Sequence, residues 1–188
     1  MCWGSSEVRS EVPSPKSEVL AVVALGSNLG ESVRLLRAVT ERLQDFADEP
    51  LRKSSLWRSA PVACPPGSPD FVNAVVAFRP RPEETPESLR VKLQGLETEF
   101  GRRPKMVLNE ARSLDLDLIA FGDQVRATPA LTLPHPRAHL RAFVLAPLAE
   151  LGPDWILPGQ TQSVSQLLAA LPSAECRPVA EDAARNWP

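Results

Sequence analysis

Asp115 and Asp117 are separated by one leucine in the run "RSLDLDLIAFG" that begins at Arg112. In a strand, side chains alternate between faces, so the two carboxylates share one face while Leu114, Leu116 and Leu118 share the other. Neighbouring carboxylates repel and are depleted from strands, so the pair either points into water or is held by a cation. A solvated edge is the ordinary outcome for an arbitrary D-x-D. A magnesium site is the sharper one, because Mg²⁺ takes one or two carboxylates together with waters and substrate phosphates. Metal pairs in phosphoryl transfer sit roughly 3.5–4 Å apart, a span that two carboxylates on one face can bridge. "GRRPK" and Arg112 place four cations just upstream, and a guanidinium offers phosphate a planar fork of donors. Any one of these cations is ordinary on a surface loop; Arg112, three residues before Asp115, is the one least easily dismissed.

His135 and His139 are the only histidines. Their spacing resembles a helical metal pair, but Pro134 and Pro136 oppose a helix there and no Cys or Glu completes a zinc pattern. His135 suits a phosphate contact and His139 a surface position. "GSNLG" lacks the lysine and spacing of a P-loop and is read as a turn and cap. Phe71, Asn73 and Phe143 are by default two core aromatics and a strand amide. Their functional reading is two rings enclosing a flat heterocycle whose edge the amide reads.

The elements that must position these residues follow from periodicity. "VLAVVAL" at 19–25 predicts a buried strand, and Val33, Leu36, Val39, Leu43 and Phe46 predict a helix capped by Ser27 or Asn28. "RKSSLWRS" is read as one strand, followed by the loop "APVACPPGSPD" and a strand over 71–78. Leu89, Leu93, Leu96 and Phe100 line one side of a second helix that Gly101 ends. The aspartate strand closes at Gly122. The order β-α-β-β-α-β favours a ferredoxin-like α+β fold, a mostly antiparallel sheet covered by helices. Residues 131–172 are expected to add helical cover.

The 188 residues allow one domain with a substantial core, since 43% are hydrophobic. The expected organisation is an N-terminal tail over 1–18, a folded domain over 19–172 and a C-terminal tail over 173–188. A formal net charge of −2 offers no footprint for bulk nucleic-acid or membrane binding. Three scattered cysteines, Cys2, Cys64 and Cys176, fit neither a disulfide framework nor a zinc site and point to a reducing compartment. With no signal-like leader and no membrane-length apolar run, a cytoplasmic protein is expected.

Taken jointly, "ALGSNLG", "PDFVNAVV", "ETEFGR", "RSLDLDLIAFG", "LPHPR" and "RAFVLAPLAEL" resemble, in order and spacing, the 6-hydroxymethyl-7,8-dihydropterin pyrophosphokinase family. The resemblance covers roughly 19–172. It implies a ferredoxin-like enzyme of folate biosynthesis that moves the terminal diphosphate of ATP onto the pterin hydroxymethyl oxygen and releases AMP. By the same resemblance, Asp115 and Asp117 would hold two Mg²⁺ ions and, with Arg102 and Arg112, form the catalytic set. Glu97, Arg102, Arg112, His135 and Arg141 would line the nucleotide site, with Leu118 and Thr132 on its adenine side. Phe71 and Phe143 would stack on the pterin and Asn73 would bond its edge. Ser59, Ala60 and Val62 would complete that pocket. The chain departs from the family pattern at Phe71, where a tyrosine often occurs, and at Pro104, Leu108 and Asn109 in the loop. Arg103 and Lys105 are candidates to replace charge missing there.

A monomeric, monofunctional protein acting on ATP and pterin is expected, with no nucleic-acid or membrane partner. Another Mg²⁺-dependent nucleotide enzyme, a nucleotidyltransferase or cyclase, would keep the aspartates without needing the pterin set. An idle relative serving as a sensor would be expected to lose an aspartate or Arg112.

Overall fold

A computed structural model describes residues 19–62, 64–102, 113–172, 176–180 and 187. Arg112 and the loop positions Arg103, Pro104, Lys105, Leu108 and Asn109 lie outside the described residues, as do 1–18.

The first strand, β1, runs Ala21–Ser27, two residues later than its apolar run suggests. Ala21, Val22, Val23 and Leu25 are all buried, which suits a central strand covered on both faces. Helix α1 (Ser32–Leu43) buries Leu36, Val39 and Leu43 as its period predicts. Neither expected cap is used. Ser27 Oγ donates to Ser32 Oγ at 2.9 Å, Asn28 Nδ2 donates to the Pro69 carbonyl at 3.2 Å, and Glu31 begins the helix without a side-chain cap. Ser27 is instead the last residue of β1, so its side chain is committed to the sheet end.

The single strand expected after α1 is two, β2 (Arg52–Lys53) and β3 (Trp57–Ser59). Ser54 separates them: its hydroxyl accepts from the Val75 amide at 2.9 Å and its own amide donates to the Val75 carbonyl at 3.0 Å. A side-chain oxygen that takes a ladder amide interrupts regular pairing. Strand β4 (Phe71–Phe78) has the expected bounds. Helix α2 (Pro86–Glu99) opens on a reciprocal capping box between Thr85 and Ser88, with Pro86 in its first turn. Gly101, at φ +82°, ends it in the left-handed region that glycine adopts without penalty.

Strand β5 is Asp115–Phe121. A short hairpin, β6 (Arg126–Ala127) with β7 (Thr132–Leu133), follows where only helical cover was expected. Then come α3 (Ala142–Leu151), α4 (Val164–Ala169) and β8 (Cys176–Pro178). The main sheet has the order β5-β1-β4-β3-β8, with β2 also on β4, and every pairing is antiparallel. With β2 and β3 counted as one interrupted strand, this is the ferredoxin-like β-α-β-β-α-β fold. Residues 176–178, assigned from sequence to the C-terminal tail, form an outer strand on β3. Trp187 Nε1 also returns to the Ser54 carbonyl at 2.8 Å.

One face of the sheet, with Val23, Leu25, Val76, Leu116 and Leu118, packs under Leu36, Val39, Leu89 and Leu93 of α1 and α2. The other, with Val22, Val75, Ala77 and Ile119, packs under Val144, Leu145 and Leu148 of α3 and Val164 and Leu167 of α4. Each fully buried aliphatic side chain contributes about 1.5–3 kcal/mol. No helix among the described residues is long and apolar enough to cross a membrane.

Candidate active site

Register brings the chemistry together. In the antiparallel ladders Asp115 lies opposite Gly26, and Gly26 lies opposite Asn73, so these three form one row across β5, β1 and β4. Asp117 lies one row further, opposite Ala24 and Val75. Paired residues project to the same face, so both aspartates, Asn73 and Phe71 stand on the face opposite the leucines. A Cβ at Gly26 would meet Asn73 Oδ1 at 3.3 Å and Phe71 Cδ1 at 3.8 Å. The missing side chain is therefore what leaves open floor between the amide and the carboxylate.

That floor underlies a cavity of about 910 Å³. Of the residues assigned from sequence, Ser59, Ala60, Val62, Phe71, Asn73, Glu97, Arg102, Asp115, Asp117, His135, Arg141 and Phe143 line it. Two do not. The Leu118 side chain is buried in the leucine core on the opposite face, and Thr132 is exposed on β7 away from the cavity. The same alternation that aims Asp117 into the cavity aims the Leu118 side chain out of it, leaving only its backbone on the strand that carries both aspartates. His139 also stays off the cavity wall. Sequence reasoning missed Gly26, Arg90, Gln94, Thr98 and Arg137, which share the lining. The signal for the α2 residues was available: Arg90 and Gln94 precede Glu97 and Thr98 at helical spacing. Gly26 was legible only through its register.

The carboxylates are half-buried, with side-chain exposures of 29% for Asp115 and 32% for Asp117. Each faces a cation. Arg102 Nη1 lies 3.0 Å from Asp115 Oδ1, and Arg141 Nη1 lies 3.7 Å from Asp117 Oδ2. His135 Nε2 is 3.9 Å from the same Asp117 oxygen. Arg102 also pairs with Glu97, a carboxylate only 6% exposed, whose Oε1 accepts from the Leu116 amide at 2.7 Å. Burial raises the Glu97 pKa; the Leu116 amide and Arg102 oppose that rise, while the two aspartates add to it. Burial likewise lowers the His135 pKa, with Asp117 opposing and Arg141 and Arg137 reinforcing the shift.

On the other wall, Asn73 is 4% exposed, and its Nδ2 donates to Ser59 Oγ at 3.0 Å. This fixes the amide orientation and leaves Oδ1 on the Gly26 side. Phe143 lies in the first turn of α3, which Glu150 ties to the sheet by accepting from the Ser55 amide at 2.6 Å and Trp57 Nε1 at 2.7 Å. The Arg141 guanidinium lies 5.4 Å from the Phe143 ring centroid, linking the aromatic wall to the Asp117 side.

The family model for 7,8-dihydro-6-hydroxymethylpterin-pyrophosphokinase (HPPK) matches residues 22–153, most of the described chain. The chain belongs to this family. A 2-amino-4-hydroxy-6-hydroxymethyldihydropteridine pyrophosphokinase of Synechocystis is 36% identical over 160 residues, covering 85% of this chain and 80% of that one. One of Pseudomonas aeruginosa is 39% identical over 151 residues, covering 80% and 90%. Among solved structures, a Plasmodium falciparum HPPK-DHPS is similar at TM-score 0.65 and 12% identity, a likeness of fold. The match covers 80% of this chain and 44% of that one, so this chain spans under half the length of that structural neighbour.

The donor set suits Mg²⁺ better than zinc. Among the described residues no group of three or more His, Cys, Asp and Glu is placed to hold a metal. What the protein offers is two carboxylates facing an open cavity, the incomplete set that magnesium completes with waters and phosphate oxygens.

Proposed function

We propose that this chain transfers the diphosphate of ATP to the hydroxymethyl group of 6-hydroxymethyl-7,8-dihydropterin, giving AMP and the pterin diphosphate, in folate biosynthesis. The observation that carries the reading is the single row Asp115, Gly26 and Asn73, which sets a carboxylate and a buried amide at two ends of one open floor. Family membership supports the same reaction.

Phe71 and Phe143 hold the pterin between them, and Asn73 with the Ser59 to Val62 segment reads its edge. Asp115 and Asp117 would hold two Mg²⁺ ions. When bound there, the ions would supply neutralisation of phosphate charge and polarisation of the attacking oxygen. Arg102, Arg141 and His135, which stand beside the two aspartates on the cavity wall, would bind phosphate oxygens. Arg112, which lies outside the described residues, is proposed for the same phosphate-binding role by family resemblance alone. Glu97 keeps Arg102 and the Leu116 backbone in place, positioning the strand that carries both aspartates. Catalysis rests on in-line placement and charge neutralisation, with no side chain required as a covalent nucleophile. The pyrophosphokinase domain is 19–172 with the outer strand at 176–178, acting as a cytoplasmic monomer.

The test is AMP release by purified protein from ATP and Mg²⁺, with and without the pterin, alongside mass detection of the product. Pterin-dependent AMP together with pterin diphosphate is expected. Folded protein that binds pterin but releases no AMP would support an idle relative, and AMP release independent of pterin would support another nucleotide enzyme.

A further inference from the structure

Arg90 is a half-buried cation on the cavity wall that neither carboxylate engages. It shares a stripe of α2 with Gln94, Glu97 and Thr98, all of which line the same cavity. Of the cavity's other guanidiniums, Arg102 pairs with Glu97 and Asp115 and Arg141 with Asp117, while Arg137 is exposed to water. Among the described residues the Arg90 side chain makes no ion pair or hydrogen bond. A guanidinium partly withdrawn from water without a partner carries a solvation cost that a bound ligand can offset.

Its position indicates which part of the ligand. Seven residues separate Arg90 from Glu97, so at the helical rise of 1.5 Å they lie about 10 Å apart along α2. Glu97 is anchored on the Leu116 amide between the two aspartates, which marks the level where diphosphate would sit. The aromatic wall belongs to β3, β4 and α3, whereas α2 packs on β5. With strands about 4.8 Å apart, β4 and β5, which flank β1, are separated by roughly 10 Å. Arg90 therefore stands away from the heterocycle end and away from the carboxylates.

We infer that Arg90 binds the adenosine portion of ATP, its planar guanidinium lying against the base or ribose, and so sets nucleotide affinity in this chain. The flat, delocalised charge suits stacking on a purine as well as donation to ribose oxygens. This inference rests on the diphosphate-transfer reading above.

The test compares wild-type protein with Arg90→Met, which keeps an unbranched apolar stem, and with Arg90→Lys, after both are shown to melt cooperatively near the wild-type temperature. Calorimetric affinities are measured for AMP, for Mg²⁺ with ATP, for Mg²⁺ with tripolyphosphate, and for pterin. In Arg90→Met, AMP and ATP should weaken roughly five- to thirtyfold while tripolyphosphate and pterin stay unchanged. Arg90→Lys should recover only part of the loss. Unchanged AMP affinity overturns the inference, as does equal weakening of tripolyphosphate, which would place Arg90 on the phosphates. Wild-type turnover separates the two levels: an active wild type with indifferent Arg90 variants removes this inference alone. A wild type that binds neither AMP nor ATP removes the functional reading and the inference together.

Discussion

Leu116 and Asp117 are chain neighbours on β5 whose surroundings could hardly differ more. On the Leu116 side, α1 and α2 close over a continuous layer of aliphatic side chains. On the Asp117 side, α3 and α4 cover only the half of the sheet built from Val22, Val75, Ala77 and Ile119. The remaining half carries Gly26, Asn73, Phe71 and Asp115 and stays open. The closed side is held by burial, which is non-directional and tolerates no gap. The open side is held by directed contacts: Arg102 on Asp115, Arg141 on Asp117, Ser59 on Asn73. A single strand thus separates a layer that stabilises from a layer that is available for chemistry, because its side chains alternate.

The contrast can be broken from either side. The largest effect is expected at the carboxylates: Asp115→Ala or Asp117→Ala should reduce turnover by about 10²–10³-fold or more in steady-state assays. Their melting temperatures should change little, since the mutual repulsion removed offsets the ion pair lost; for Asp117, the freed Arg141 also retains its contact with Phe143. Gross unfolding of either variant would move the aspartates to the structural side of the comparison. Leu116→Ala should do the reverse. It should lose about 2–5 kcal/mol of stability in denaturant titration, while the protein that remains folded keeps its pterin affinity.

Smaller effects sharpen the picture of the open floor. Asn73→Ala should weaken pterin binding by about 1–3 kcal/mol by calorimetry if it leaves buried ring donors unpaired, and unaltered affinity would undo its assignment. Gly26→Ala should place a methyl against Asn73 Oδ1 and raise the KM for pterin more than that for ATP; equal effects on both would indicate a sheet distortion instead. The smallest effect concerns pH. The folded protein holds the His135 pKa below the ordinary 6.5, so an unfolded chain binds this proton more readily. Stability without metal should therefore fall as the pH drops through the window just below 6.5, and that component should be absent from His135→Gln.

Much of this was readable from residue order. The ferredoxin-like order, the bounds of β4, the buried faces of α1 and α2 and the alternation of Asp115 and Asp117 with leucines all follow from local periodicity, which each segment carries in itself. Beyond the aspartate pair, the proposed site residues were assigned by resemblance, since nothing local distinguishes Phe71 or Phe143 from core aromatics. Local signals failed where a distant group intervened. Ser54 breaks an apparent strand because Val75, 21 residues away, donates to it. Cys176–Pro178 reads as tail until β3 offers an edge.

By itself, the sequence determined which residues alternate on each strand and which recur on each helix, because backbone geometry imposes those periods whatever the surroundings. Only the tertiary structure decided that Asp115, Gly26 and Asn73 stand in one row, that the Leu118 side chain faces away from the cavity, and that Arg90 reaches the cavity with no carboxylate on it among the described residues. Those facts depend on strand register and on where α2 docks, relations between segments far apart in the chain that no local pattern encodes.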